Sequence, residues 1–257
     1  MPLNFNNKGL YMRYKLTLEY DGTNTLGWQR QLDGPSIQEY LETVLETLSG
    51  QHTEVAAAGR TDAGVHALGQ VAHIDFATSM ETWKIREAFN ANLRQLEAPV
   101  NVLEVEEVSD DFHARFYAKG RGYIYRILNR RSPSILRNNR VWWVPVPLDI
   151  NKMQEASQFL LGNHDFTSFR AAACQAKSPI KTLDKLDIQK NDDEIIFTVE
   201  AKSFLHHQVR NMVGTLKQVG EGKIFPKDIK TILEAKDRSK AGATAPACGL
   251  YLNKVIY

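Results

Sequence analysis

The chain has 257 residues, enough for one large domain or two small ones. Hydrophobic residues make up 43% and charged residues 24%, which excludes a collagen, a disordered tail protein and a disulfide-built miniprotein. The net charge of +2 is close to neutral but unevenly spread. No run of about 18 apolar residues occurs, so no membrane-spanning helix is expected. The opening MPLNFNNKGLYM lacks the apolar stretch of a signal peptide, and Met12 is a candidate start because the regular pattern begins just after it. Cys174 and Cys248 are too few for a disulfide framework or an all-cysteine zinc site. Together these features point to the cytoplasm.

Tyr14 to Tyr20 alternates apolar and polar residues and reads as a strand, closed by the Asp21-Gly22 turn. Ser36 opens a helix with Glu39 completing a capping box. Ile37, Tyr40, Leu41, Val44, Leu45 and Leu48 keep helical period until Gly50. A loop follows around Gly59 to Gly69. Val71 to Phe76 alternates as a strand, Trp83 to Leu93 reads as a helix and Val102 to Val108 as a strand. Strands are then expected at Gly122 to Leu128 and Val141 to Val146, and a helix at Ile150 to Leu161. Further strands fall near Leu183 to Gln189 and Glu194 to Glu200, and a helix over Phe204 to Val219. A short helix follows Pro226, and Leu250 to Ile256 is the last strand. Each half mixes strands with about two helices, which implies an α+β fold with a largely antiparallel sheet. A charge shift near residue 110 divides residues 1–110 from 111–257.

Residues 112 to 148 hold Arg115, Lys119, Arg121, Arg126, Arg130, Arg131, Arg137 and Arg140 and no acid, leaving −6 for the rest. Phe112, Phe116, Tyr117, Tyr123, Tyr125, Trp142 and Trp143 are interleaved. Cations hold phosphates and rings stack on bases, so the segment suits nucleic acid; the bland alternative is a solvated basic face over core aromatics.

The densest chemical signal is Gly59-Arg60-Thr61-Asp62-Ala63-Gly64-Val65-His66, a short loop with a cation, a hydroxyl and a carboxylate between two glycines. Its bland alternative is a turn in which Asp62 caps a backbone N–H. Asp62, His66, His73 and Asp75 lie close in sequence but lack a metal-ligand spacing, and His206-His207 should point apart on a helix. No GxSxG elbow or P-loop is present. On the strand near Tyr123, alternation puts Arg121, Tyr123 and Tyr125 on one face. On the helix from Phe204, His206, Arg210, Gly214 and Lys217 form a polar stripe, and Arg210 could hold an aspartate ionised.

Ala58 to Ala67 with Gly69-Gln70-Val71 resembles the signature of the tRNA pseudouridine synthase A family. Tyr20-Asp21-Gly22-Thr23 with Gly27-Trp28-Gln29, Gly162 to Phe169, Phe204 to Gly214 and Ala245 to Leu252 resemble its other motifs, in the expected order. The resemblance implies two α/β-sandwich halves around a continuous, mostly antiparallel sheet with a central catalytic cleft. It implies isomerisation of uridine to pseudouridine at positions 38, 39 and 40 of the tRNA anticodon stem-loop, without cofactor or metal, by a homodimer. By resemblance Asp62 is the essential carboxylate, attacking C1′ or taking the C2′ proton. Tyr123, with Tyr125 as a competitor, stacks on the uracil. Arg210 pairs with the aspartate, and Arg60 helps open and fill the RNA stack. Arg121, Arg126 and Arg130 are expected to contact substrate. Cys248 stands where close relatives often have an acid. Two alternatives remain: a non-catalytic RNA-binding protein on the same scaffold, and a synthase with another RNA target.

Overall fold

The computed structural model describes residues 11–257. The opening MPLNFNNKGL read above lies outside them. The chain divides into two compact units: one holds the described residues up to Ala63 together with Ala67–Ala118, the other Gly64–His66 with Lys119–Tyr257. No described helix is long and apolar enough to cross a membrane.

In the first unit, β1 (Tyr11–Tyr20) pairs antiparallel with β3 (His66–Ala77) on one side and β4 (Val100–Val108) on the other, and the short β2 (Ala56–Ala57) pairs with β3. Direct partners share a sheet face. Tyr14 opposite Ile74 and Leu16 opposite Ala72 make a buried apolar face. α1 (Ile37–Ser49) and α2 (Thr82–Gln95) contribute Leu41, Val44, Leu45, Ile85, Phe89 and Leu93, all buried. Ser36 caps α1 as expected, accepting from the Glu39 N–H at 3.2 Å, which is one half of the expected capping box, and Gly50 ends the helix at φ 72°. β3 starts at His66, five residues before the alternation suggests, because the polar Gln70 is buried among hydrogen bonds rather than exposed.

The opposite sheet face is polar: Arg13 faces Asp75, and Lys15 faces both His73 and Glu106. Arg13 grips Asp75 through two bonds of 2.7 and 2.8 Å and donates a third, at 3.0 Å, to the Phe112 carbonyl. The Ala114 N–H donates to His73 Nδ1 at 3.3 Å. These bonds tack residues 112–114 to the first unit, whose last stretch of chain runs to Ala118.

Burial, reinforced by the charges of Arg13 and His113, lowers His73 from its ordinary value to about 4. A folded value below the unfolded one means that the unfolded chain binds the proton first as pH falls. Stability from this group is therefore whole above about pH 6.5 and is lost between there and about 4, by up to ~1.4 kcal/mol per pH unit. His73→Asn, which keeps an acceptor but does not titrate, should show a shallower loss of melting temperature across pH 6.5 to 4 than the parent. Parallel curves would contradict this role.

The second unit carries a sheet in the order β10 (Leu250–Ile256), β5 (Gly120–Leu128), β9 (Glu194–Ala201), β8 (Ile180–Asn191), β7 (Gly162–Asp165), all antiparallel. Only β6 (Trp142–Trp143) joins β5 in parallel. The strand expected over Val141 to Val146 shrinks to these two residues because Pro145 and Pro147 have no N–H to give a ladder. The core joins Tyr125, Ile127, Phe197 and Val199 to Met153 of α3 (Ile150–Ser157), to Met212, Val213 and Leu216 of α4 (Gln208–Gly220), and to Ile229 of α5 (Asp228–Ala235). The fold is thus α+β, with helices packed on mostly antiparallel sheet. α4 begins four residues later than its apolar spacing suggests: His207 adopts φ 61°, outside the helical region.

Candidate active site

The loop carrying Asp62 is held from three sides within the first unit. Tyr20 Oη and Thr61 Oγ1 share a 2.8 Å hydrogen bond. Gln70 on β3 donates to the Gly59 carbonyl at 2.7 Å and reaches Tyr20 Oη at 3.4 Å. The Trp28 N–H donates to the Thr61 carbonyl at 3.0 Å. Gly27 sits at φ 86°, and a Cβ there would lie 2.4 Å from the Thr61 oxygen and 2.7 Å from the Asp62 carbonyl carbon. Only glycine allows that close approach of two backbones. The Gly27-Trp28-Gln29 and Gly59-to-Gly64 motifs, far apart in sequence, are therefore one structure. Asp62 is half-buried and Arg60 exposed. A loop so clamped presents its carboxylate from a fixed backbone, as a nucleophile or base requires.

The residues after it belong with the second unit. His66 stacks on Tyr251, centroids 4.6 Å apart, and its Nε2 meets the Asn139 carbonyl at 2.9 Å. Of the residues considered for a metal, Asp75 is bonded by Arg13, His73 by Ala114 and His66 by Asn139. His206 and His207 precede α4 instead of pointing apart on it, and their rings lie 4.0 Å apart.

On β5, Arg121, Tyr123 and Tyr125 do share a face, and burial deepens along it. Tyr125 is fully buried and donates to the Pro246 carbonyl at 2.7 Å; burial pushes its phenol well above the ordinary value. Tyr123 is half-buried, edge-on to Phe204 at 5.2 Å. Arg121 donates to the Lys202 carbonyl at 2.9 Å.

Arg210 lies in the first turn of α4, its Nε donating to the Ala245 carbonyl at 2.8 Å while the Ala245 N–H donates to the Arg210 carbonyl at 3.1 Å. The strap from Gly242 to Ala245 lies against the helix because Gly214 has no side chain: a Cβ there would be 1.9 Å from the Ala243 oxygen. Arg238 and Thr244 both bond the Asn211 carboxamide, at 3.0 and 2.7 Å, and lock the strap in place. Arg238, Asn211 and Thr244 were not among the expected site residues, although Asn211 lies inside the Phe204-to-Gly214 motif.

Arg126 and Arg130 have carboxylate partners on the β8–β9 hairpin. Arg126 pairs with Glu194, and Arg130 bonds Asp193 at 2.8 Å. Arg137 joins both acids, at 3.2 and 3.4 Å. Glu194 is 8% exposed. Arg126→Ala removes one of its two cationic partners and should cost ~1–3 kcal/mol, read as a lower urea midpoint. An unchanged midpoint would show the pair to be energetically idle.

A family model described as tRNA pseudouridine synthase matches residues 17–117 and 156–257. Those spans contain Asp62, Arg60 and Arg210, while Tyr123, Arg121, Arg126 and Arg130 lie between them. The tRNA pseudouridine synthase A of Paramagnetospirillum magneticum is 56% identical over 245 residues, covering 95% of each chain. That of Bartonella tribocorum is 54% identical over 245 residues, 95% of this chain and 99% of its own, and that of Bartonella henselae is 52% identical over the same shares. With its signature loop clamped as one unit and this similarity along nearly its whole length, the chain belongs to the tRNA pseudouridine synthase family.

Proposed function

We propose that the protein isomerises uridine to pseudouridine in tRNA, at positions 38, 39 and 40 of the anticodon stem-loop, with Asp62 as the essential carboxylate. The observation that carries this reading is the backbone-clamped Asp62 loop in a chain with half-identical relatives named for the reaction. The glycosidic N1–C1′ bond breaks, the uracil turns, and C5 bonds to C1′, so that the atoms of the nucleotide are conserved. The target must leave the stack for a carboxylate to reach its sugar. Arg60, exposed beside Asp62, is assigned to fill the vacated space. Tyr123 is assigned to the uracil: its ring is half-open, whereas the Tyr125 hydroxyl is committed to Pro246. Arg210, oriented by Ala245, is assigned to the catalytic carboxylate.

Arg121, Arg126 and Arg130 are assigned to the tRNA backbone. Replacing Arg126 and Arg130 with alanine should flatten the log–log salt dependence of tRNA affinity by about 0.7 to 0.9 per lost phosphate contact. We assign the protein to the cytoplasm, where tRNA is matured, and to a homodimer. The reading is tested by incubating chelator-treated protein with unmodified tRNA and mapping pseudouridine at single-nucleotide resolution. Product at positions 38–40 supports it. Product elsewhere changes the target, and binding without product overturns the catalytic assignment.

A further inference from the structure

A segment of the first unit that the reaction does not use is built as a ledge. Residues 109–118 cross the polar face of the sheet, the face opposite the one bearing Leu16, Ala72 and Ile74. Arg13 and His73, projecting from that face, hold the Phe112 carbonyl and the Ala114 N–H. The segment is further folded on itself. Phe112 N–H donates to the Ser109 carbonyl and Tyr117 N–H to the His113 carbonyl, both at 3.0 Å, and Tyr117 Oη donates to Asp111 at 2.6 Å. Phe112, Ala114 and Ala118 point inward and are buried.

The residues between them point outward. Phe116 is 75% exposed. The His113 ring lies 4.3 Å from it, tilted by 40°, and the Arg115 guanidinium sits 5.9 Å from its centroid. The ring is packed along one side, against His113 and Arg115, and the rest of it stays in water on a pinned backbone. Such a ring suits a ligand with a π face, and a flanking guanidinium suits one that also carries negative charge. A nucleotide of an RNA has both.

We propose that Phe116 and Arg115 form a nucleotide-binding ledge for tRNA: Phe116 stacks on a base other than the target uridine, and Arg115 meets the adjoining phosphate. The proposal rests on the tRNA reading above. The ledge is rigid before the ligand arrives, so little ordering entropy is lost on binding. Its role is to position tRNA without touching the reacting sugar.

The test is fluorescence titration of the full protein with unmodified tRNA, alongside single-turnover conversion at saturating enzyme. Phe116→Ala should weaken tRNA binding about 5- to 30-fold, the loss of one stacked base. Phe116→Trp should restore it, and Arg115→Ala should lower the salt slope by about 0.7 to 0.9. The saturated conversion rate should stay at the parent value in all three. Parent affinity in Phe116→Ala with an unchanged slope in Arg115→Ala would overturn the ledge. So would a loss that tracks weakened self-association in sedimentation, since the ring would then belong to a contact with a second copy. A parent protein that binds tRNA but converts no uridine would overturn the catalytic reading while leaving the ledge standing; normal conversion with unaffected binding variants would do the reverse.

Discussion

Asp62→Ala should abolish pseudouridine formation, by at least about 10³-fold, while tRNA affinity should stay within a few-fold of the parent. The expected size follows from the role proposed for Asp62: without the carboxylate the reaction loses its assigned nucleophile or base. The retained affinity follows from charge: a carboxylate among phosphates repels them, so its removal leaves binding equal or slightly tighter. Asp62→Asn, which keeps the shape and the backbone clamp, should be as inactive as alanine. Single-turnover conversion and equilibrium binding on the same preparation separate the two quantities. Conversion within tenfold of the parent would sink the assignment of Asp62.

The second large effect comes from a residue with no chemistry. Gly27→Ala forces a methyl group into three backbone atoms: the Thr61 oxygen at 2.4 Å, the Asp62 carbon at 2.7 Å and the Ala63 nitrogen at 2.9 Å. No flexible side chain stands there to give way, and φ 86° disfavours alanine on its own account. The Asp62 loop must shift, and a displacement on the order of 1 Å costs roughly 10²-fold in rate. Gly50→Ala is the control. It has a similar φ of 72° but nothing within 4 Å, so it should lose about 1 kcal/mol of stability and no activity. Normal activity in Gly27→Ala would mean that the loop is not held as described.

The elements that local rules govern were legible in the sequence. The Ser36 cap, the Gly50 stop and the last strand, Leu250–Ile256, fall where side-chain period and capping chemistry put them. The Asp62 loop stood out because its composition fits neither helix nor strand. Long-range partners did not stand out. Nothing local says that Gly27 makes room for Asp62, that Gln70 is buried to hold the Gly59 carbonyl, or that Arg126 finds Glu194, 68 residues away. The start of α4 was misplaced because an apolar spacing of helical period also fits a turn at Leu205 followed by His207 with positive φ. The choice between Tyr123 and Tyr125 could not be read from alternation, which puts both on one face; only depth along the strand distinguishes them.

The acidic tip of the β8–β9 hairpin changes what the basic segment is worth. Asp193 and Glu194 occupy the guanidinium forks of Arg126, Arg130 and Arg137 much as a phosphodiester would. They can act as a tethered decoy: three of the eight cations share two carboxylates supplied by the protein, so an arbitrary RNA should release fewer ions than the charge count promises. Loose association with bulk RNA is weakened accordingly, and a substrate that is to engage those arginines must be shaped well enough to displace an internal rival.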